Sequence, residues 1–261
     1  MGLNELLGLL GPWIALVLGL VAGSFANVCI HRLPRGESIV SPPSHCPACG
    51  VRVRWHDNVP LLGYTLLRGR CRDCGARISP RYPLVEAATG LIFLGLWYHT
   101  GGAVVRFGIE ALFALGLVVG TGIDLEHRLL PDRVTLPLLG WALAASVQPG
   151  GLTPAAALLG ALAGGAALYL IALVGDAVYR RDTMGGGDIK LAAALGALLG
   201  WQLLIVALFA AFVLGAVGGL AYLALGGRDR MVPFGPFLAA GALLALTVGP
   251  GIWDWYLGFF A

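Results

Sequence analysis

No charged residue lies between Leu6 and Ile30, and apolar runs of this kind recur from Leu84 almost to the end of the chain. A run that long can cross a bilayer as a helix. Inside hydrocarbon every backbone N–H and C=O must be satisfied within the segment, so the runs are predicted to be helical. Composition supports this: 58% of the residues are hydrophobic, 12% are charged and the mean hydropathy is +0.83, the balance of a polytopic membrane protein. Only Glu5 precedes the first run, without the basic segment and small-residue cleavage site of a secretory signal. The run is therefore read as a retained first helix with its N-terminus outside. It ends in Gly23-Ser24-Phe25-Ala26-Asn27-Val28, small and polar residues suited either to helix packing or to the close approach of a ligand.

Residues 31–83 differ abruptly, with nine arginines, several prolines and four of the five cysteines. Cys46-Pro47-Ala48-Cys49-Gly50 and Cys71-Arg72-Asp73-Cys74-Gly75 are two C-x2-C pairs separated by 21 residues. Each pair can place two thiolates on one ion through a tight turn relaxed by the following glycine, and four thiolates complete a tetrahedral zinc shell. Two disulfides or a redox dithiol fit less well, because an arginine-rich loop faces the reducing cytoplasm. Cys46, Cys49, Cys71 and Cys74 are thus the predicted ligands of a structural zinc that folds a loop too small to form its own core. Cys29 reads as a small packing residue.

Further helices are predicted over 84–98, 107–123, 134–147, 154–178, 189–200, 203–225 and 234–248, with the break near Gly200 and Trp201. The fold class is all-α, with about eight transmembrane helices and a small cytoplasmic zinc-ribbon-like loop. The domains are a first helix (1–30), the four-cysteine loop (31–83), a second helix with its outer loop (84–106), a six-helix membrane domain (107–250) and an aromatic interfacial segment (251–261). With the N-terminus outside, this topology puts every lysine and arginine except Arg106 on the inner side, whereas merging residues 189–225 into one span puts Arg228 and Arg230 outside. No basic face interleaved with aromatics is present outside the cysteine loop, so the arginines indicate topology and not a nucleic-acid partner.

Two acids fall at the inner membrane edge. Asp124 ends the third helix and Asp188 begins the sixth, following Met184-Gly185-Gly186-Gly187. Ionisable residues at such a place are costly and point to function. Two carboxylates sharing a site can act as acid and base, activating water against a peptide bond. Asp188 also fits a helix N-cap, and Asp132, after Pro131, reads as an N-cap and first turn. Asp124 has no such role, since a carboxylate at a helix C-terminus meets the negative end of the macrodipole. By the same argument Asp188 holds its charge as the base and Asp124 keeps its proton, although coupled groups can exchange roles. Gly185, Gly186 and Gly187 can adopt backbone conformations closed to other residues and leave room for an extended substrate strand. A phosphate loop is disfavoured, because neither glycine fingerprint is present and Asp188 repels anions.

Together with these residues, Gly23–Val28, Arg32-Leu33-Pro34, the two cysteine ribbons, Leu67-Arg68-Gly69-Arg70, Leu130-Pro131-Asp132, Gly185–Lys190 and Pro233-Phe234-Gly235-Pro236-Phe237 occur in an order that resembles the type IV prepilin peptidases. The likeness covers nearly the whole chain. It implies a G-x-G-D aspartic peptidase of the bacterial inner membrane that cleaves the basic leader of type IV prepilins or type II secretion pseudopilins at the cytoplasmic face. It also implies N-methylation of the new terminus with S-adenosylmethionine, the long cysteine loop accompanying the bifunctional type. By motif position the catalytic pair is Asp124 and Asp188, with Asp132 in the pattern but outside the pair. The methyl-donor site stays open; Glu86 is a candidate for contacting a substrate amine or, alternatively, an interfacial structural charge. Readings from other classes are a transporter or channel with the two acids as cation ligands, and a non-enzymatic pilus or secretion assembly factor.

Overall fold

The computed structural model describes residues 3–148, 151–180, 183–226 and 232–259, and every structural statement below concerns these. Their regular structure is helical, with two isolated bridges and no strand among them, and most of the cysteine loop is turns and coil. The chain divides into two compact units, one up to Val119 and one from Gly120.

In the first unit α1 (Leu3–Arg32) is followed by the cysteine loop, which contains the short α2 (Leu62–Leu66), and then by α3 (Arg81–His99). Glycines set how closely α1 and α3 pack. A Cβ on Gly19 would sit 2.7 Å from the Thr89 carbonyl oxygen, and one on Gly23 would sit 2.7 Å from Glu86 Cα. The pairing of Gly11 with Trp97, Gly19 with Gly90 and Gly23 with Glu86 shows the helices running antiparallel. Without a hydrophobic driving force between helices in lipid, close contact of small residues supplies the attraction. The segment ending α1 therefore does serve as a packing face.

Helix α4 (Val104–His127) runs across the boundary between the units and stops where Arg128 takes a left-handed conformation (φ 55°) and donates its N–H to the Asp124 carbonyl at 2.8 Å. Then follow α5 (Asp132–Ala145), α6 (Pro154–Tyr179), α7 (Gly186–Ala224), α8 (Gly235–Thr247) and α9 (Gly249–Leu257). Thr153 caps α6, its hydroxyl accepting the Ala156 N–H, with Pro154 in the first turn where its missing N–H costs nothing. Helices α6 and α7 touch backbone to backbone: a Cβ on Gly160 would lie 2.0 Å from the Gly196 oxygen, and one on Gly164 2.2 Å from the Ala192 oxygen.

The break expected near Gly200 is present inside α7, whose 39 residues are interrupted there by φ 73°, ψ 167°, a region essentially closed to other residues. Neighbours show that the chain turns back at this point. The first arm carries Asp188 in its first turn, within electrostatic reach of Asp124, and Gly200 at its far end packs on Leu152. The second arm starts beside α9, with Trp201 edge-on to Trp253 and Leu203 against Gly249. It ends beside Phe234 and Phe237, adjoining Gly235, which touches Asp124. Gly241 fits against Ala207 and Ala211 midway.

Among the described residues, four helices are long and apolar enough to cross a membrane: Gly8–Arg35, Val104–His127, Pro154–Tyr179 and Gly186–Ala224. The α8–α9 pair, bent by 70°, adds a fifth when it is counted as one span. Helix α5, at 14 residues, and α8, at 13, fall short of the ~20 residues of a comfortable span. The predicted helix ends agree within a few residues apart from the joined α7, and Arg228 and Arg230 lie outside the described residues.

Gly196→Ala puts a methyl 1.9 Å from the Gly160 carbonyl oxygen, which belongs to a rigid backbone, whereas a methyl at Gly140 meets nothing within 4 Å. The first substitution is expected to cost about 3 kcal/mol and lower the detergent-solubilised Tm by roughly 6–12 °C. The second is expected to leave Tm unchanged or raise it slightly through helix propensity. Thermal denaturation of the two variants side by side checks the pair.

Candidate active site and metal centre

Both acids lie in the second unit. Asp124, on the last turn of α4, is buried at 6% exposure, and its Oδ2 accepts the backbone N–H of Gly235 at 2.8 Å. Gly235 is the first residue of α8, so this N–H has no partner within its own helix. Contact is close enough that a Cβ on Gly235 would sit 2.8 Å from the same oxygen.

Asp188 is the third residue of α7, whose N-cap is Gly185 with no side-chain capping bond. It therefore does not cap, although it stays in the first turn, where the helix dipole favours negative charge. It is partly buried, and its Oδ1 is enclosed with no hydrogen-bond partner among the described residues. The two carboxylates are near enough for their charges to interact. One thus carries an N–H donor and the other leaves a buried acceptor open, the arrangement that a water or a substrate group would complete.

The glycines before Asp188 do not use the backbone freedom expected of them. None of Gly185, Gly186 and Gly187 has positive φ; Gly185 is extended and the other two are helical. Gly187 is needed for room, since a Cβ there would fall 2.4 Å from the Leu130 oxygen, while Gly186 faces open space. Their use is steric: α7 can begin directly against the α4–α5 connection. The turn before them is tied down by Thr183, whose N–H and hydroxyl both donate to Asp176 Oδ1 at 2.7 Å.

Asp132 also departs from its expected role. Pro131 occupies the N-cap of α5 without a side-chain capping bond, and the Asp132 carboxylate pairs with Lys190, two residues beyond Asp188. Nothing in the sequence spacing revealed this ion pair. The Gly235 N–H was missed as well, although the Pro233–Phe237 motif was its signal: a proline–glycine break resets the backbone and leaves a helix-initial amide unpaired.

The candidate metal centre belongs to the first unit. Cys46, Cys49, Cys71 and Cys74 are free thiols whose sulfurs all lie within 4.8 Å of one another. Each pair forms the same knuckle. Cys46 N–H donates to the Val51 oxygen and Gly50 N–H to the Cys46 oxygen, while Cys71 and Gly75 repeat the pattern with Ala76 and Cys71. Gly50 and Gly75 adopt φ 71° and 73°, as a glycine after the second cysteine permits. The sulfurs of Cys46 and Cys74 are 3.8 Å apart, which matches the edge of about 3.8 Å for a tetrahedron with 2.3 Å metal–sulfur bonds.

Electrostatics fit a cation at that point. The backbone N–H groups of Cys49 and Ala48 pull the Cys46 thiol down to about 7. Cys74, although the Ala76 N–H lowers it, is pushed up to about 12 by loss of solvent and the other three sulfurs. Four sulfurs this close would all be thiolates only with a positive ion between them. The loop is braced by Arg72, which donates from Nε and Nη2 to Asp57 and holds that carboxyl below the usual range, and by Arg54 with Asp73.

Glu86 is buried within the first unit, at 7% exposure, and its Oε2 accepts the Leu61 N–H at 2.8 Å.

The fold and site thus describe a helical protein with membrane-length apolar helices, four thiols placed to hold a metal ion and two carboxylates near enough for their charges to interact. Residues 17–100 match the bacterial peptidase A24 N-terminal domain, and residues 111–220 match the type IV leader peptidase family. The chain is 42% identical to a prepilin leader peptidase/N-methyltransferase of Myxococcus xanthus, covering 86% of this chain and 68% of that one. It is 38% identical to the protein of that name in Legionella pneumophila, covering 95% and 96%, and 37% identical to that of Aeromonas hydrophila, covering 95% and 96%. No solved structure matches. The chain belongs to the type IV leader peptidase family.

Two measurements follow. Gly235→Ala, which crowds Asp124 Oδ2, is expected to lower peptidase turnover about a hundredfold, the usual consequence of an ångström-scale misplacement, while leaving metal content intact. Elemental analysis of purified protein is expected to give one zinc per chain, and Cys49→Ser to reduce it well below that, with faster proteolysis within residues 46–75.

Proposed function

We propose that this chain removes the basic leader peptide of type IV prepilins or type II secretion pseudopilins at the cytoplasmic face of the bacterial inner membrane, and then N-methylates the new terminus. What supports this most directly is the pairing of Asp124 and Asp188 from separate helices of one unit, one hydrogen-bonded to Gly235 and the other holding a buried oxygen open. The relatives' shared name, prepilin leader peptidase/N-methyltransferase, supplies the substrate class and the second activity.

In this mechanism the two carboxyls share one proton. A water between them gives a proton to the ionised carboxylate as its oxygen attacks the scissile carbonyl, and the other carboxyl protonates the developing oxyanion or the leaving amine. The helix-end argument makes Asp188 the base, whereas the Gly235 N–H favours charge on Asp124; a substrate backbone placed beside Gly186 decides between them. Gly185 to Gly187 serve as the substrate loop. The Asp132–Lys190 pair holds the start of α7 in register with α5.

Eight passes are formed by α1, α3, α4, α5, α6, the two arms of α7 and α8, with α9 at the interface. The arginine-rich loop and the acidic helix ends then lie on the cytoplasmic side by the positive-inside rule. Cys46, Cys49, Cys71 and Cys74 would hold a structural zinc that joins the two knuckles. S-adenosylmethionine supplies the electrophilic methyl group for the second reaction.

The test is incubation of the purified protein in detergent with a synthetic prepilin, with and without S-adenosylmethionine. Mass spectrometry is expected to show loss of the leader and, with the methyl donor, a further methyl on the product. Asp124→Asn and Asp188→Asn are each expected to lower cleavage by at least about 10³-fold without changing zinc content or Tm. Near-normal cleavage by either variant removes that residue from the pair.

A further inference from the structure

We propose that Asn27 and Glu86 form a binding site for the free α-amino group of the methyl acceptor, in the first unit where α1 meets α3. The inference rests on the methyl-transfer reading above and assigns its acceptor side.

Two independent observations carry it. Asn27 is 2% exposed, and its Nδ2 donates to the carbonyl oxygens of Gly23 at 3.3 Å and Tyr82 at 3.1 Å. These two bonds fix which end of the amide is which. They leave Oδ1, an acceptor enclosed by the protein, with no partner among the described residues. A buried acceptor left open is costly unless something donates to it.

The second observation is Glu86, at 7% exposure on the same helix junction. Gly23 packs on Glu86 Cα and lies one helical turn before Asn27, so the two side chains belong to neighbouring turns of one α1–α3 contact. A carboxylate at such a depth calls for a cationic or N–H-rich partner. Among the described residues it accepts the N–H of Leu61. That residue is held at φ 60°, ψ −45°, with Leu62 N–H bonded back to the Pro60 oxygen at 2.6 Å, a γ-turn of the strained, positive-φ form. The Leu61 N–H therefore stands where an ammonium group would bind, and a substrate amine could displace it while the turn relaxes.

The ligand chemistry follows. An amine offers three N–H donors when protonated, enough for Glu86 and Asn27 Oδ1 together. Methyl transfer requires its neutral form. Glu86 takes one proton from R–NH3⁺, and the nitrogen lone pair attacks the methyl carbon of a sulfonium donor. The carbon–sulfur bond breaks with its electron pair moving to sulfur, which leaves a thioether and the N-methylated ammonium. Glu86 then returns its proton to solvent.

The experiment uses the full-length protein with a pre-cleaved pilin peptide bearing a free N-terminus, and the same peptide N-acetylated. In wild type the free-amine peptide is expected to bind at least about tenfold more tightly than the acetylated one without any methyl donor present. Glu86→Gln retains an oxygen for the Leu61 N–H. It is expected to abolish that discrimination and to raise the methylation KM for the peptide about tenfold or more. A carbodiimide is expected to join the peptide amine to Glu86 in wild type, a bond mapped by mass spectrometry. Should Glu86→Gln not fold, the wild-type binding ratio and the cross-link remain decisive. Equal binding of both peptides by wild type, or discrimination and KM preserved in Glu86→Gln, overturns the site. A wild-type protein that discriminates between the peptides but transfers no methyl group overturns the methyl-transfer reading instead.

Discussion

The structure depends on helices approaching closely enough for their backbones to touch. Between helices in lipid there is no water to expel, so association comes from van der Waals contact and from polar groups that cannot be satisfied elsewhere. Glycine permits the first. Gly19 and Gly23 bring α3 onto α1, Gly160, Gly164 and Gly196 bring α6 onto α7, and Gly241 brings α8 onto the second arm of α7. Two contacts of this kind occur beside polar residues that matter. Gly23 sits one turn from Asn27 and against Glu86, and Gly187 sets Asp188 against the α4–α5 connection.

Helix ends then supply what the side chains need. The first amides of a helix have no internal partner, and α8 directs one of them to Asp124. Helix α7 brings Asp188 in its first turn, where the dipole favours a carboxylate, and its break at Gly200 lets the chain return so that α8 can start beside the acids. The candidate pair is thus assembled from the ends of three helices within one unit. Such ends carry the backbone donors that are free to serve a site at the edge of a membrane.

The cysteine loop solves a different problem. It has few buried apolar residues, so its shape comes from two matched knuckles, two arginine–aspartate pairs and the four sulfurs they converge. A metal held by those sulfurs would give a loop of this size what a larger domain gains from a core.

Much of the fold was legible in the chain itself, and for identifiable reasons. Hydrophobic run length is local, so the helices and the break at Gly200 could be read directly; so could the cysteine knuckles, whose spacing encodes the turn. Asp124 and Asp188 stood out because charge is rare in such runs. The hydrogen-bond, ion-pair and steric partners of these residues were not legible. The Gly235 N–H on Asp124, the Lys190 pair that takes Asp132 away from capping, the steric rather than conformational use of Gly187, and the Leu61 N–H on Glu86 all join residues distant in the chain. Sequence by itself determined which segments must be helical and which side chains are too polar to be there without cause, because both follow from the transfer of single groups out of water. Only the tertiary structure decided which donor each buried acceptor meets, because small residues mark a helix face that can pack without saying which helix packs on it or in what register.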